Sequence, residues 1–145
     1  MITTSTPAAT ASAPRLRPDR IGRVLLWIAA VGAAGAAVSA ISTVLGAGGT
    51  TKVVETWRLY GFVVFAGLFV LLALRPLGYR GVWELAVLNK VALTVTALAY
   101  AARGGISGTG SIIASDGGLS LVLIAAYACC RGWTAWSAPD RGSRS

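Results

Sequence analysis

The chain has 145 residues, of which 55% are hydrophobic and 12% charged, with 13 Lys and Arg against 5 Asp and Glu and no histidine. A soluble domain carries roughly 25% charged residues, and one this small has too little interior to hide so much apolar surface, so a soluble globular fold is excluded and a bilayer is the fitting solvent. The missing histidine excludes a His-ligated haem or zinc site. The basic balance does not point to nucleic acid, because the Lys and Arg sit in short groups at the ends of apolar runs.

In chain order, residues 1–20 are rich in Thr, Ser, Ala and Pro, lack apolar periodicity, and read as a disordered cytoplasmic tail. A first span is predicted from Ile21 to Leu45, closed by the Gly-rich Gly46 to Thr51. A second runs from Trp57 to Leu74 and stops at Arg75-Pro76, since proline ends or kinks a helix. After a tight turn, a third runs from Val82 to Ala102 and ends at Arg103-Gly104-Gly105. The fourth is harder to bound: the uninterrupted apolar run Leu119 to Cys130 makes only about 18 Å of helix against a hydrocarbon core of about 30 Å. It must take in Asp116 (Ile112 to Cys130) or Arg131 (Leu119 to Trp136). The first choice is favoured, with a break at Gly117-Gly118 and Arg131 snorkelling to the interface. Residues 137–145 read as a second cytoplasmic tail.

Nine basic residues fall on one side of these spans: Arg15, Arg17, Arg20, Arg23, Arg75, Arg80, Arg131, Arg141 and Arg144. Lys52, Arg58 and Arg103 fall on the other, and Lys90 lies inside the third span. The positive-inside rule then puts both termini in the cytoplasm. Trp and Tyr residues gather near both ends of the spans, as interfacial belts do. The expected fold is all-α: a membrane four-helix bundle over residues 21–136, N-in and C-in.

Sorted at about 100° per residue, the spans show distinct faces. Gly32, Gly35, Ser39, Ser42, Thr43 and Gly46 share one side of the first span and predict a close-packed helix interface. Arg58, Phe62, Phe65 and Phe69 share a face of the second, either as bulk between helices or as an aromatic wall beneath a cation. Asn89, Thr96, Tyr100 and Arg103 form a polar stripe on the third, with Lys90 and Thr94 at its flank. Lys90 lies near mid-span, where a lysine costs a few kcal/mol or more unless it finds water or a partner. Glu84 or a backbone carbonyl is the expected partner. Asp116 is expected in an outer charged cluster with Glu55, Arg58 and Arg103, and the polar stripes are expected to face inward. The adjacent Cys129 and Cys130 read as small apolar fillers.

The stretch Arg75-Pro-Leu-Gly-Tyr79 followed by Trp83-Glu-Leu-Ala-Val-Leu-Asn-Lys90, within a four-span chain of this length, resembles DoxX-like and related small bacterial four-helix membrane proteins. The resemblance covers about residues 57 to 130 and is one of architecture and a loop. It implies the four-helix fold, an inner-membrane location and an association with redox or quinone-linked partners. It carries over no catalytic residue. Small multidrug exporters differ, since their first span holds a glutamate and this one holds no acid.

Three functional readings are open. A non-enzymatic accessory, scaffold or regulatory component would pack its small-residue face on a membrane-protein partner or on a second copy. An intramembrane enzyme or binder would use Glu55 or Asp116 as a catalytic proton donor. It would hold an apolar isoprenoid or quinone-like molecule against Phe62, Phe65 and Phe69, and orient it with Arg58, Asn89, Lys90, Tyr100 and Arg103. A small transporter or proton relay would use Lys90 with Glu84. The first reading is expected, because no catalytic group is assembled in the sequence. No cofactor, metal or nucleic-acid partner is called for.

Overall fold

The structure, a computed structural model, describes residues 17–137. The terminal tails expected from composition therefore lie mostly outside the described residues. Helix α1 runs Pro18–Gly46, α2 Lys52–Leu74 and α3 Val82–Arg103. The fourth span comes in pieces: α4 Thr109–Ile112, a π-helical turn Ile113–Gly117, and α5 Gly118–Cys130. A 3₁₀ turn, Gly132–Trp136, follows. Counting Thr109–Cys130 as one, four helices are long and apolar enough to cross a membrane, and among the described residues there is no strand.

The boundaries have local causes. Helix α1 starts at Pro18 instead of Ile21, where proline's missing N–H is no loss and Asp19 meets the positive helix end. Helix α2 starts at Lys52 instead of Trp57, which draws Glu55 into its first turn. It stops where Pro76 forces Arg75 out of the helical region, to φ −135°. Helix α3 opens on Gly81 at φ 80°, a left-handed conformation that glycine adopts without strain. At the far end of the fourth span Arg131 takes φ 52°, and its N–H closes the last turn onto Tyr127 and Ala128 carbonyls.

Helix α1 packs between α2 and α5, while α3 lies along the fourth span and touches α2 lightly. The core gathers at one end. Leu26, Ala29, Ala30 and Ala33 of α1 meet Phe69, Leu72 and Ala73 of α2, Trp83 and Ala86 of α3, and Leu123, Ala126 and Cys130 of α5. That end holds the start of α1 and α3 and the finish of α2 and α5. Toward the other end only isolated small residues, Ala37, Ala40 and Ala97, are buried, and α2 buries nothing before Phe69.

The face of α1 that packs is not the expected one. Gly32, Gly35, Ser39, Ser42, Thr43 and Gly46 are all exposed, and a Cβ added at Gly32, Gly35 or Gly46 would meet no neighbour within 4 Å. The interface is instead an alanine stripe running from Gly22 through Ala29, Ala33 and Ala37 to Ala40. Both faces are made of small residues, so size alone does not tell them apart. Alanine presents a methyl to bury, whereas Ser39 and Ser42 satisfy their hydroxyls within α1, donating to the carbonyls of Gly35 (2.9 Å) and Ser39 (2.8 Å).

Gly22 is the tightest point of the α1–α5 contact: a Cβ there would collide with Cys130 Sγ and lie 3.1 Å from the Ala126 carbonyl oxygen. Gly22→Leu should therefore destabilise the bundle by about 1–3 kcal/mol through overpacking. Gly32→Leu, facing open space, should leave the melting temperature in detergent unchanged; equal shifts for the two would contradict this packing.

Candidate functional site

Lys90 lies on the inward face of α3, eight residues past Val82 and 5% exposed. Its ammonium stands 2.7 Å from Asp116 Oδ1 and 4.2 Å from the centroid of the Phe65 ring. A lysine from α3, a carboxylate from the fourth span and an aromatic face from α2 thus meet at one point. Burying either charge alone would cost several kcal/mol, and their mutual hydrogen bond offsets that cost. The ring face adds about 2 kcal/mol where the cation is shielded from water.

Asp116 reaches Lys90 because of the π turn that carries it. An i→i+5 turn holds one residue more than an α turn and changes the direction in which its side chains point. Gly117 makes room: an added Cβ would sit 3.3 Å from Thr94 Cγ2, so a larger residue would hold the turn off α3. Thr94 lies one helical turn beyond Lys90, a gap that the four-carbon lysine stem covers. The backbone around the pair is also satisfied. Thr94 Oγ1 donates to the Lys90 carbonyl at 2.8 Å and Ser120 Oγ to the Asp116 carbonyl at 2.7 Å.

A second polar cluster closes the well-packed end. Glu84 Oε1 accepts from Tyr127 Oη and Trp136 Nε1, each at 3.0 Å. Trp83 Nε1 donates to the Pro76 carbonyl at 2.6 Å, and Arg80 Nε to the Ala135 carbonyl at 3.1 Å. The Tyr127 ring packs edge-on against Trp83 and Trp133, 5.5 and 5.9 Å between centroids. Gly132 lies so close to that ring that no side chain fits there. These contacts fasten the α2–α3 loop to the 3₁₀ turn. Beside them, Trp83, Glu84, Val87, Val91, Ile124 and Tyr127 line a shallow cleft of ≈ 360 Å³ between α3 and α5.

The structure brings together only some of the residues singled out from sequence. Lys90 does have a carboxylate partner, but it is Asp116 and not Glu84. Glu84 and Lys90 are six residues apart on one helix, which turns them about 120° away from each other. The outer cluster is not formed: Asp116 has gone to Lys90, and Arg103 forms no ion pair among the described residues. Glu55 and Arg58 pair within α2, at 2.7 Å, in a charge contact that is not aligned as a hydrogen bond. Asn89, Tyr100 and Arg103 are exposed on the outside of α3, so the polar stripe does not face inward. The phenylalanine face is absorbed by packing: Phe69 is fully buried, its ring 5.8 Å from that of Phe65, while Phe62 is half-buried. Sequence reasoning missed Tyr127 and Trp136 as partners of Glu84, and set Phe65 beneath Arg58 where the structure sets it beneath Lys90. No spacing rule links them, because each contact joins separate helices.

No protein-family model, no curated protein and no solved structure matches this chain. Among the described residues no group of three His, Cys, Asp or Glu side chains is placed to hold a metal ion. Chemically, Lys90 and Asp116 neutralise one another, and neither lines the cleft beside Glu84.

If the pair is a lock, its halves are worth less than the whole. Lys90→Met and Asp116→Leu should each destabilise by about 3–5 kcal/mol, because each strands the opposite charge. The double substitution K90M/D116L should recover most of that loss, since an apolar pair of similar volume is often neutral or stabilising. Thermal unfolding in detergent reads all three; additive losses would show that the two residues act separately.

Proposed function

We propose that this chain is a multi-pass membrane protein with both termini in the cytoplasm, and that it is a non-catalytic component of the DoxX-like kind, an accessory or scaffold that receives a partner helix. The observation carrying this reading is the disposition of α1. Its alanine stripe is occupied by α2 and α5, while a second small-residue face, from Gly32 and Gly35 to Gly46, lies bare along the same helix. In lipid there is no hydrophobic force between helices, so close backbone approach over glycine and serine is what favours association. The thinly packed end supports the same reading, because α1 and α2 there leave apolar side chains such as Val38, Ile41, Val53 and Trp57 outward.

The inner charges add to the argument. Lys90 and Asp116 are engaged with each other and neither lines the cleft beside Glu84, which suits a pair that joins two helices. The location rests on four apolar helices, and the orientation on the basic residues grouped at the packed end. Reporter fusions at the N and C termini should both be active in the cytoplasm. Fluorescence transfer between tagged copies, and cross-linking to native partners, should reveal a complex in the intact membrane. Gly35→Leu with Ser39→Leu should reduce that association severalfold while leaving the melting temperature of the isolated chain unchanged. A wild-type chain that stays solitary in both assays would overturn the scaffold reading.

One observation favours a second reading, a binder of an apolar isoprenoid or quinone-like molecule. The cleft beside Glu84 is apolar along Val87, Val91 and Ile124 and polar at its Glu84–Tyr127 rim, which suits a greasy ligand with a hydrogen-bonding head. Glu84→Gln should weaken retention of such a molecule on the purified protein, whereas Gly35→Leu should not.

A further inference from the structure

At the packed end a cavity of ≈ 580 Å³ opens between the start of α1 and the α2–α3 loop. Four arginines line it: Arg17 just before α1, Arg20 and Arg23 in its first turns, and Arg75 just past the end of α2. The single carboxylate on its wall is Asp19. Among the described residues none of the four guanidiniums is ion-paired, so no described carboxylate matches them. The other side of the cavity is apolar, made by Leu74, Pro76 and Leu77. Arg75 is held toward it by the loop itself. Gly78 donates its N–H to the Arg75 carbonyl at 3.0 Å, and a Cβ at position 78 would crowd Arg75 Cβ at 2.9 Å, so glycine lets the arginine stem fold back over the turn.

We infer that this cavity is a headgroup site for an anionic phospholipid carrying two phosphates, a lipid of the cardiolipin kind. The inference rests on the membrane orientation proposed above, which puts the cavity in the cytoplasmic leaflet. Guanidinium forks bind phosphate oxygens two at a time, and basic pockets between helices at this depth take multiply charged headgroups. Four arginines against one aspartate leave more positive charge than one phosphodiester neutralises, and two phosphates match it better. Leu74 and Leu77 provide the surface along which an acyl chain leaves the headgroup. A free phosphate ion would meet the same arginines but gain nothing from that apolar wall.

The test uses the full chain purified in mild detergent, with retained lipid read by native mass spectrometry. Cardiolipin should be retained about tenfold more than phosphatidylcholine, with phosphatidylglycerol between them. Inorganic phosphate at the same concentration should not displace it; displacement would show a simple anion site and overturn the lipid assignment. R20Q/R75Q should abolish the preference, whereas Arg131→Gln, at the same end but outside the cavity, should keep it. Should R20Q/R75Q prove unfolded, the wild-type ranking decides alone: equal retention of cardiolipin and phosphatidylcholine overturns the proposal. Flotation with vesicles separates this from the membrane reading. A chain that floats without headgroup preference sinks only the lipid site, and one that does not float sinks both.

Discussion

A charge inside an apolar bundle has to be neutralised by something the bundle itself supplies, and here one contact meets that demand. The Lys90–Asp116 pair, at 2.7 Å, joins α3 to the fourth span at the level where the tight core gives way to loose packing. Much else in this region can be read as serving it. The π turn carries Asp116 to the right azimuth, Gly117 allows that turn to approach Thr94, and Phe65 offers its ring face to the ammonium. Such a pair is weak evidence for net stability but a strong determinant of register, since a helix slid by one turn would strand both charges.

The packing is uneven along the bundle, and the unevenness has a chemical basis. The crowded end contains the large buried side chains Trp83, Phe69, Leu26, Leu72 and Leu123, together with the aromatic and carboxylate contacts around Tyr127. At the opposite end the large side chains, such as Trp57, Tyr60 and Tyr100, point outward, and between the helices only alanines such as Ala37, Ala40 and Ala97 are buried. One end of the molecule therefore holds itself together, and the other is supplied with surface. The proposed reception of a neighbouring helix would use that division, with a firm base and an open flank.

Much of the architecture was legible because it follows from chain chemistry. Apolar runs of membrane-spanning length, Pro76 after Arg75, and Gly104-Gly105 after Arg103 mark helices and their ends without reference to packing. Asp116 within the fourth helix was legible too, since twelve apolar residues cannot reach across a bilayer. What was not legible depends on which face turns inward. The glycine–serine and alanine faces of α1 are chemically similar, and a wheel drawn for α3 places Asn89, Tyr100 and Arg103 together without saying that they face outward. The partner of Lys90 was open to better reasoning, because residues six apart on a helix cannot meet; that alone removes Glu84. Identifying Asp116 needed the π turn, which no local residue pattern announces.

That turn also sets how the tip of the fourth span farthest from the packed core is aimed. The extra residue shifts everything before it by about 100° of azimuth relative to an unbroken helix. Thr109–Ile112 and α5 therefore obey two separate angular frames, with Ile113–Gly117 as the joint between them. The loop that follows α3 is steered by a count of residues, so lengthening or shortening the joint by one would swing that loop around the bundle while the base stayed as it is.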